Sequence, residues 1–433
     1  MTRNFRTYAV LATLSVLAAC GSSSKTASTT AAAGSATTKA GDAATTAPAG
    51  GATTAAPTAG AKGDVAMWAY ASSESEDAAL KTLVDKYNGA GRAKVTLTIQ
   101  AKYDEALQAS LAGGQPPDVF YVNQDNFPGY VNKKILTPVG DKMVNPGDFY
   151  KGLADTFTVD GKLYCPPKDF STLALQYNVK ALAEAGIKPP TTWAELATAA
   201  EKLTKPNRPG LVVGAEFFRW GAFFQQAGGW VTDDKVTKMT MDSPEVNQAL
   251  TYLGDLSKKG FMQTASQVGA GWPGEALGKE SAAMVIEGNW IIGFMSKTFP
   301  AVEYKSVELP AGPKGKGSLS YTVCYGVAAA SKNVAGATDF VSWMTAPEQM
   351  LSFTKDFPVM PSRTSVTADW IKSHPEAQAY VDSAAYARKP VFKDGFKAVL
   401  DTLNENIQGI ASGKKTIDDA VKATSTAGKD VLG

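Results

Sequence analysis

Between residues 21 and 63 the chain is almost entirely Ser, Thr, Ala, Gly and Pro, and at Asp64 that composition stops abruptly. This break constrains the fold more than any other feature of the sequence. The segment before it has nothing large to bury and cannot offset the entropy lost on ordering, so it reads as a disordered tether. Its root-mean-square reach is roughly 35 Å, taking about 5–6 Å times the square root of its length. Whatever folds must do so from Asp64 onward, where about 370 residues remain, enough for two domains.

Ahead of the tether, Arg3 and Arg6 form a short basic start, and Tyr8 to Leu17 is apolar. That run of about ten residues is too short to span a bilayer as a permanent helix. It ends in Leu17-Ala18-Ala19-Cys20, which resembles a bacterial lipobox: small residues suit a signal-peptidase groove, and the cysteine thiol accepts the lipid. Residues 1–20 are therefore expected to be a lipoprotein signal peptide, with lipidation at Cys20. No later apolar stretch reaches the roughly 18–20 residues of a membrane helix. The expectation is an extracytoplasmic protein, lipid-anchored to the cell membrane.

The chain of 433 residues is 44% hydrophobic and 19% charged, with a formal net charge of +2. Without a large basic field, nucleic acid is an unexpected partner. His374 is the one histidine, and it is followed by Pro375. Metal sites and acid–base catalysis lean on histidine, so its scarcity argues against both, and no metal or cofactor is expected. Gly269-x-Gly271-x-x-Gly274 matches a dinucleotide fingerprint only formally. It follows no convincing strand, and Pro273 interrupts it. The pairs Asp233-Asp234 and Asp418-Asp419 are adjacent, hence not on one helical face, and read as solvated acids.

From Asp64 the chain alternates. Val65-Ala66-Met67-Trp68 reads as a strand. Ser73-Glu74-Ser75-Glu76 has the capping-box pattern, followed by Leu80, Leu83, Val84 and Tyr87 at helical spacing. Val95, Leu97 and Ile99 alternate as a second strand, and Asp118 to Val122 forms a third. This is an α/β pattern with a mostly parallel sheet. Further on, Thr192 and Glu195 give a second capping box. Ser243-Pro244 opens a helix with Val246, Leu250, Leu253 and Leu256 on one face, ended by Gly260. Ala283-Met284-Val285-Ile286 is a short strand, Tyr321 to Ala330 a longer one, and Thr416 to Val421 opens a terminal helix.

Four motifs, in order, carry a resemblance. Gly114-Gln115-Pro116-Pro117-Asp118-Val119-Phe120 is followed by Ile135-Leu136-Thr137-Pro138-Val139. Gly161 to Pro166 leads on to Leu175-Gln176-Tyr177-Asn178. Then come Ala283-Met284-Val285-Ile286-Glu287-Gly288-Asn289-Trp290 and Ala328 to Asn333. Each is weak alone, but the ordered set resembles extracellular solute-binding protein family 1 of ABC importers, the maltose-binding-protein-like sugar-binding lipoproteins. The resemblance implies an α/β, two-lobe periplasmic-binding-protein-like fold of type II, with mixed sheets flanked by helices and hinge strands between the lobes. Lobe one would take residues 64–166 plus 327–380, and lobe two 167–326 plus 381–433. The function implied is binding without chemistry: a monomer that takes a carbohydrate in the inter-lobe cleft, closes on it, and delivers it to the transmembrane subunits of an ABC permease. Binding of another small solute (a polyol, a polyamine or a phosphorylated compound) is the alternative. A secreted glycoside hydrolase working through two carboxylates is a further one.

A sugar site needs flat aromatic faces and planar hydrogen-bonding groups, and such pockets favour domain interfaces. Several aromatics lie beside glycines or at strand ends: Trp68, Tyr70, Trp220, Trp230, Trp272 and Trp290, the last preceded by Asn289. As a set they are expected to line a cleft, with Tyr325 on the returning strand. By resemblance, Asp125 and Asp169 stand where the family carries ligand acids. Glu74 is a candidate for the cleft or a first-turn partner of the helix dipole, and Arg363 a candidate for the cleft or a structural salt bridge. Export puts Cys165 and Cys324 in an oxidising compartment, where an even pair is usually bonded. By resemblance their strands run side by side at the hinge, while two separately buried thiols remain the alternative.

Overall fold

The computed structural model describes residues 63–70, 73–390 and 392–432. The expected signal peptide with Cys20 and the expected tether, up to residue 62, lie outside the described residues. Three parallel strands begin the fold, Asp64–Ala69 between Lys94–Ile99 and Val119–Asn123, joined through helices Glu74–Gly89 and Tyr103–Ala112. Each forms for a local reason. Val65, Met67 and Ala69 alternate inward along the first strand. Ser73 caps the first helix, its Oγ accepting from the Glu76 amide at 3.3 Å, and Leu80, Leu83, Val84 and Tyr87 bury its inner face. Val119–Asn123 is covered on both faces and is accordingly apolar throughout Val119 to Val122.

The remaining sheet is built on the strand Pro167–Asn178, in which all 12 residues are buried. At roughly 3.3 Å per residue it is about 40 Å long, enough to serve both halves of the molecule. Its first half pairs antiparallel with Ser318–Val327, which in turn pairs with Val119–Asn123. Its second half pairs with Met284–Gly288 on one side and Tyr304–Glu308 on the other. Eleven strands thus join in one sheet whose main path runs Lys94–Ile99, Asp64–Ala69, Val119–Asn123, Ser318–Val327, Pro167–Asn178, Met284–Gly288, Leu211–Val212, Met262–Gln263. One apolar core lies on the first three strands, a second on the far half, and a third joins Leu153 and Phe170 to Val285, Ile291 and Met295. The result is a two-lobe α/β fold with strands crossing between the lobes.

The crossing ladder carries one irregularity. Val323 lies opposite Asp169 and Cys324 opposite Pro167, so Lys168 is an extra, unpaired residue. Such a bulge re-aims a side chain. The chain passes between the halves again at Met360–Pro361, which pairs with Phe170 and Asp169. After it, Trp370, Ala377 and Tyr380 share a core with Val285, Ile291 and Met295. The segment 360–380 thus packs on both sides: Arg363, Thr364 and Ser365 bond residues 144–148, while Trp370 and Tyr380 join this core.

Cys165 and Cys324 are joined by a disulfide, with Cα atoms 5.4 Å apart across a sequence separation of 159. It ties the start of one crossing strand to its returning neighbour. Closing so long a loop restricts the unfolded chain, worth up to about 5 kcal/mol in the chain-entropy picture. Unfolded, unreduced mature protein should show no titratable thiol from this pair. The double substitution to Ser should lower unfolding stability by about 2–5 kcal/mol in urea, and two reactive thiols per chain would be incompatible with the bond.

Candidate functional site

A cavity of about 810 Å³ opens on one face of the crossing strands. Asp169 and Ser171 line it from Pro167–Asn178, and Tyr321, Thr322 and Val323 from the returning strand. One wall comes from the first half of the fold: Tyr70 after the first strand, Tyr103 opening the second helix, and Asn123 to Asp125 after the third strand. The other comes from helix Phe217–Ala227, preceded by Glu216, from Trp290 at the head of Trp290–Thr298, and from one face of Phe396–Ala411.

Two buried ion clusters stand at this surface. In the first, Lys168 Nζ donates to Glu76 Oε1 at 2.9 Å and to Asp169 Oδ2. The ammonium also lies 5.0 Å from the Tyr121 ring centroid and 4.8 Å from that of Phe353. Burial alone would lower the Lys168 pKa, but Asp169 and Glu76 outweigh it and hold the group above the ordinary lysine value. Two carboxylates share one ammonium, and burial leaves Asp169 above the usual carboxylate range despite Lys168.

The second cluster fixes an aromatic face. Glu287 is fully buried, and its Oε2 accepts from Arg219 Nη2 at 2.8 Å and from Trp290 Nε1 at 2.9 Å. Arg219 also pairs with Glu216 at 3.2 Å. Its guanidinium lies 5.3 Å from the Trp290 ring centroid and 5.7 Å from that of Tyr321. The indole turns back over Gly288, where an added Cβ would meet ring atoms at 2.3 Å. Only glycine permits that approach.

Four of the residues expected at a site line this cavity: Tyr70, Asp125, Asp169 and Trp290. Tyr70 donates to Asn123 Oδ1 at 2.6 Å, and burial, then Glu76, pushes its phenol well above the ordinary value. Burial raises the Asp125 carboxyl, opposed by Lys397 on the facing helix. The structure puts the others elsewhere. Tyr325 is buried behind the cavity, edge-on to Tyr121. Trp68 packs on the first core, and Glu74 is exposed in the first helical turn. Trp220 lies on a helix, not a loop, and its face of that helix is wholly buried. Trp230 is buried against Phe217, with the Arg388 guanidinium 4.2 Å from its ring centroid. Trp272 packs edge-on against Phe294. Arg363 is fully buried and structural, donating to the carbonyls of Thr345, Asn145 and Val144, with Asp148 Oδ2 at 3.5 Å. Asn289 is fully buried. Its amide N–H donates to Ser171 Oγ at 2.9 Å, and its side-chain Oδ1 and Nδ2 have no hydrogen-bond partner among the described residues.

The residues missed were Glu76, Lys168, Arg219, Glu287 and Tyr321. The signal for two of them was present: Arg219 and Glu287 are charges set in apolar or aromatic runs, where burial demands a partner.

A cavity across crossing strands, walled by both halves of a two-lobe α/β fold, defines a binding protein of the hinged type. The model of the bacterial extracellular solute-binding proteins matches residues 82–379, and the chain belongs to that family. It therefore works outside the cytoplasm. It is similar to a maltotriose-binding protein of Pyrococcus abyssi, 24% identical over 341 residues, 75% of this chain and 72% of that one. It is also similar to a diacetylchitobiose binding protein of Streptomyces coelicolor, 24% identical over 352 residues, 74% of this chain and 78% of that one. Among solved structures, an ABC substrate-binding protein of Listeria monocytogenes in complex with cycloalternan superposes with a TM-score of 0.79 at 23% identity, covering 86% of this chain and 99% of that chain. A maltose/maltodextrin-binding domain of Bdellovibrio bacteriovorus bound to maltotriose gives 0.76 at 18% identity, covering 85% and 99%.

Removing Lys168 would leave two buried carboxylates facing each other. Lys168→Ala should cost about 3–5 kcal/mol of unfolding stability, the scale of breaking a buried pair from one side. Equilibrium urea denaturation checks this, and a loss under 1 kcal/mol would mean the cluster is far more hydrated than its burial implies.

Proposed function

We propose that this chain is the membrane-tethered substrate-binding protein of an ABC importer, and that the cavity takes a carbohydrate. The observation that carries the reading is Trp290: a flat aromatic face at the cavity wall, locked in orientation by Glu287 and Arg219. Around it are the planar polar groups of Asp125, Asp169, Asn123 and Glu216, suited to fans of hydrogen bonds to sugar hydroxyls. The sugars named for the similar proteins support the same class. Binding would draw the lobes together without chemistry, and the permease would recognise the closed monomer. The wall carries seven carboxylates against four cations, so a phosphorylated solute would meet a net negative field.

Cys20 would hold the protein at the membrane by its lipid, with the tether lifting the folded body away. Cys20→Ser should release the protein into the medium, and its retention in the membrane fraction would count against a lipid anchor. For the ligand, a thermal-shift panel of mono-, di- and oligosaccharides should single out a sugar that raises the melting temperature. Calorimetry with that sugar should find Trp290→Ala weaker by about 1–3 kcal/mol. Unchanged affinity in a folded variant would remove Trp290 from the site.

A further inference from the structure

The crossing strands have a second face. Asp169 and Ser171 line the cavity described above; their neighbours Phe170 and Thr172 line another, beside Ser320 of the returning strand. The period of two along a strand sends them to opposite sides. This rear cavity measures about 460 Å³, within the usual range for small-molecule sites. Leu153, Phe170, Thr172 and Met360 are buried in it, while Ala384 and Ala385 stand exposed at its rim. It is a depression with a closed floor.

Three of its four hydroxyl groups, all but that of Ser320, are already engaged. Thr172 Oγ1 donates to the Tyr380 carbonyl at 2.8 Å, and the hydroxyls of Tyr150 and Thr367 bond each other at 2.8 Å. They leave a largely apolar wall with few free partners, poorly suited to a sugar, most of whose hydroxyls would lose water without gaining a bond. The exception is Lys389. Its Nζ donates to the Gly152 carbonyl at a long 3.3 Å, and among the described residues no carboxylate lies within ion-pair distance. The neighbouring Asp155 is held by Lys151 at 2.6 Å. Burial lowers the Lys389 ammonium below the ordinary lysine value. A cation at an apolar cavity with no anion of its own is complementary to a ligand that brings one.

We propose that the rear cavity is a second small-molecule site, one that takes an apolar monocarboxylate. Its hydrocarbon body would lie against Leu153, Phe170 and Met360, and its carboxylate would bond Lys389. This assignment is independent of what the front cavity binds.

Octanoate is the probe, titrated by calorimetry into the mature protein, with octanol as the uncharged control of equal length. Octanoate should bind and raise the melting temperature, and octanol should bind about tenfold or more weakly, the scale of a charge-assisted hydrogen bond. Lys389→Gln should weaken octanoate by a similar factor. Ala384→Trp, which fills the rim, should abolish binding of octanoate and octanol alike. Unliganded melting curves of both variants establish that they fold. Octanoate should still bind when the front cavity is saturated with whichever sugar stabilises it. No binding of octanoate, equal affinity for octanol, octanoate binding that survives both substitutions, or displacement by that sugar overturns the proposal.

Discussion

Lys168 is a full charge inside the strand that joins the two halves of the molecule, and it must be answered where it lies. The bulge opposite Val323 and Cys324 turns it to the side of Asp169, and Glu76 reaches it from the first helix of the fold. A charge buried without partners would cost several kcal/mol, so the three groups fix one another. The first helix is thereby tied to the crossing strand by a charge pair as well as by apolar packing. Tyr121, Phe353 and Phe357 surround the ammonium and keep water away, which strengthens the pairing.

Arg219 repeats this arrangement on the other wall. It too is a cation between two carboxylates, Glu216 and Glu287, set against aromatic rings. The two clusters differ in consequence. The Lys168 cluster joins a helix to a strand, whereas Glu287 also accepts the indole N–H of Trp290 and so sets the plane of a ring at the cavity wall. An aromatic held in this way presents a surface already ordered, and a ligand that stacks on it need not bear that entropy.

The fold was largely legible because its signals are local. The caps at Ser73, Thr192, Ser243 and Thr416 all accept the expected backbone amide, and the alternation of Val65 and Met67 set the inner face of the first strand. The ordered motifs supplied the topology. The site was less legible, because lining a cavity depends on which way a side chain turns. Tryptophans beside glycines do not reveal that: Trp290 came to the wall through Gly288 and Glu287, while Trp220 and Trp230 went to the core. Lys168 was hidden by a bulge that no spacing rule anticipates. Arg363, weighed between cleft and salt bridge, is accounted for by three backbone carbonyls and Asp148. That Trp370 and Tyr380 join the core of Val285 and Ile291 is a tertiary preference with no local mark.

The bond between Cys165 and Cys324 makes the chain between them a closed ring, spanning a separation of 159 residues. Most of the second half is inside it: the helices from Val179–Ala185 to Trp290–Thr298 and most of the second core. A mechanical load applied to the two chain ends would run from Cys165 to Cys324 through the sulfurs and bypass that ring. Under tension the first core and the segments beyond Cys324 could be drawn out into extended chain, while the ring would add no contour length until the sulfurs were reduced. The covalent path and the peptide path through this molecule are therefore different, and how far it can be drawn out is set by the redox state of one pair of residues.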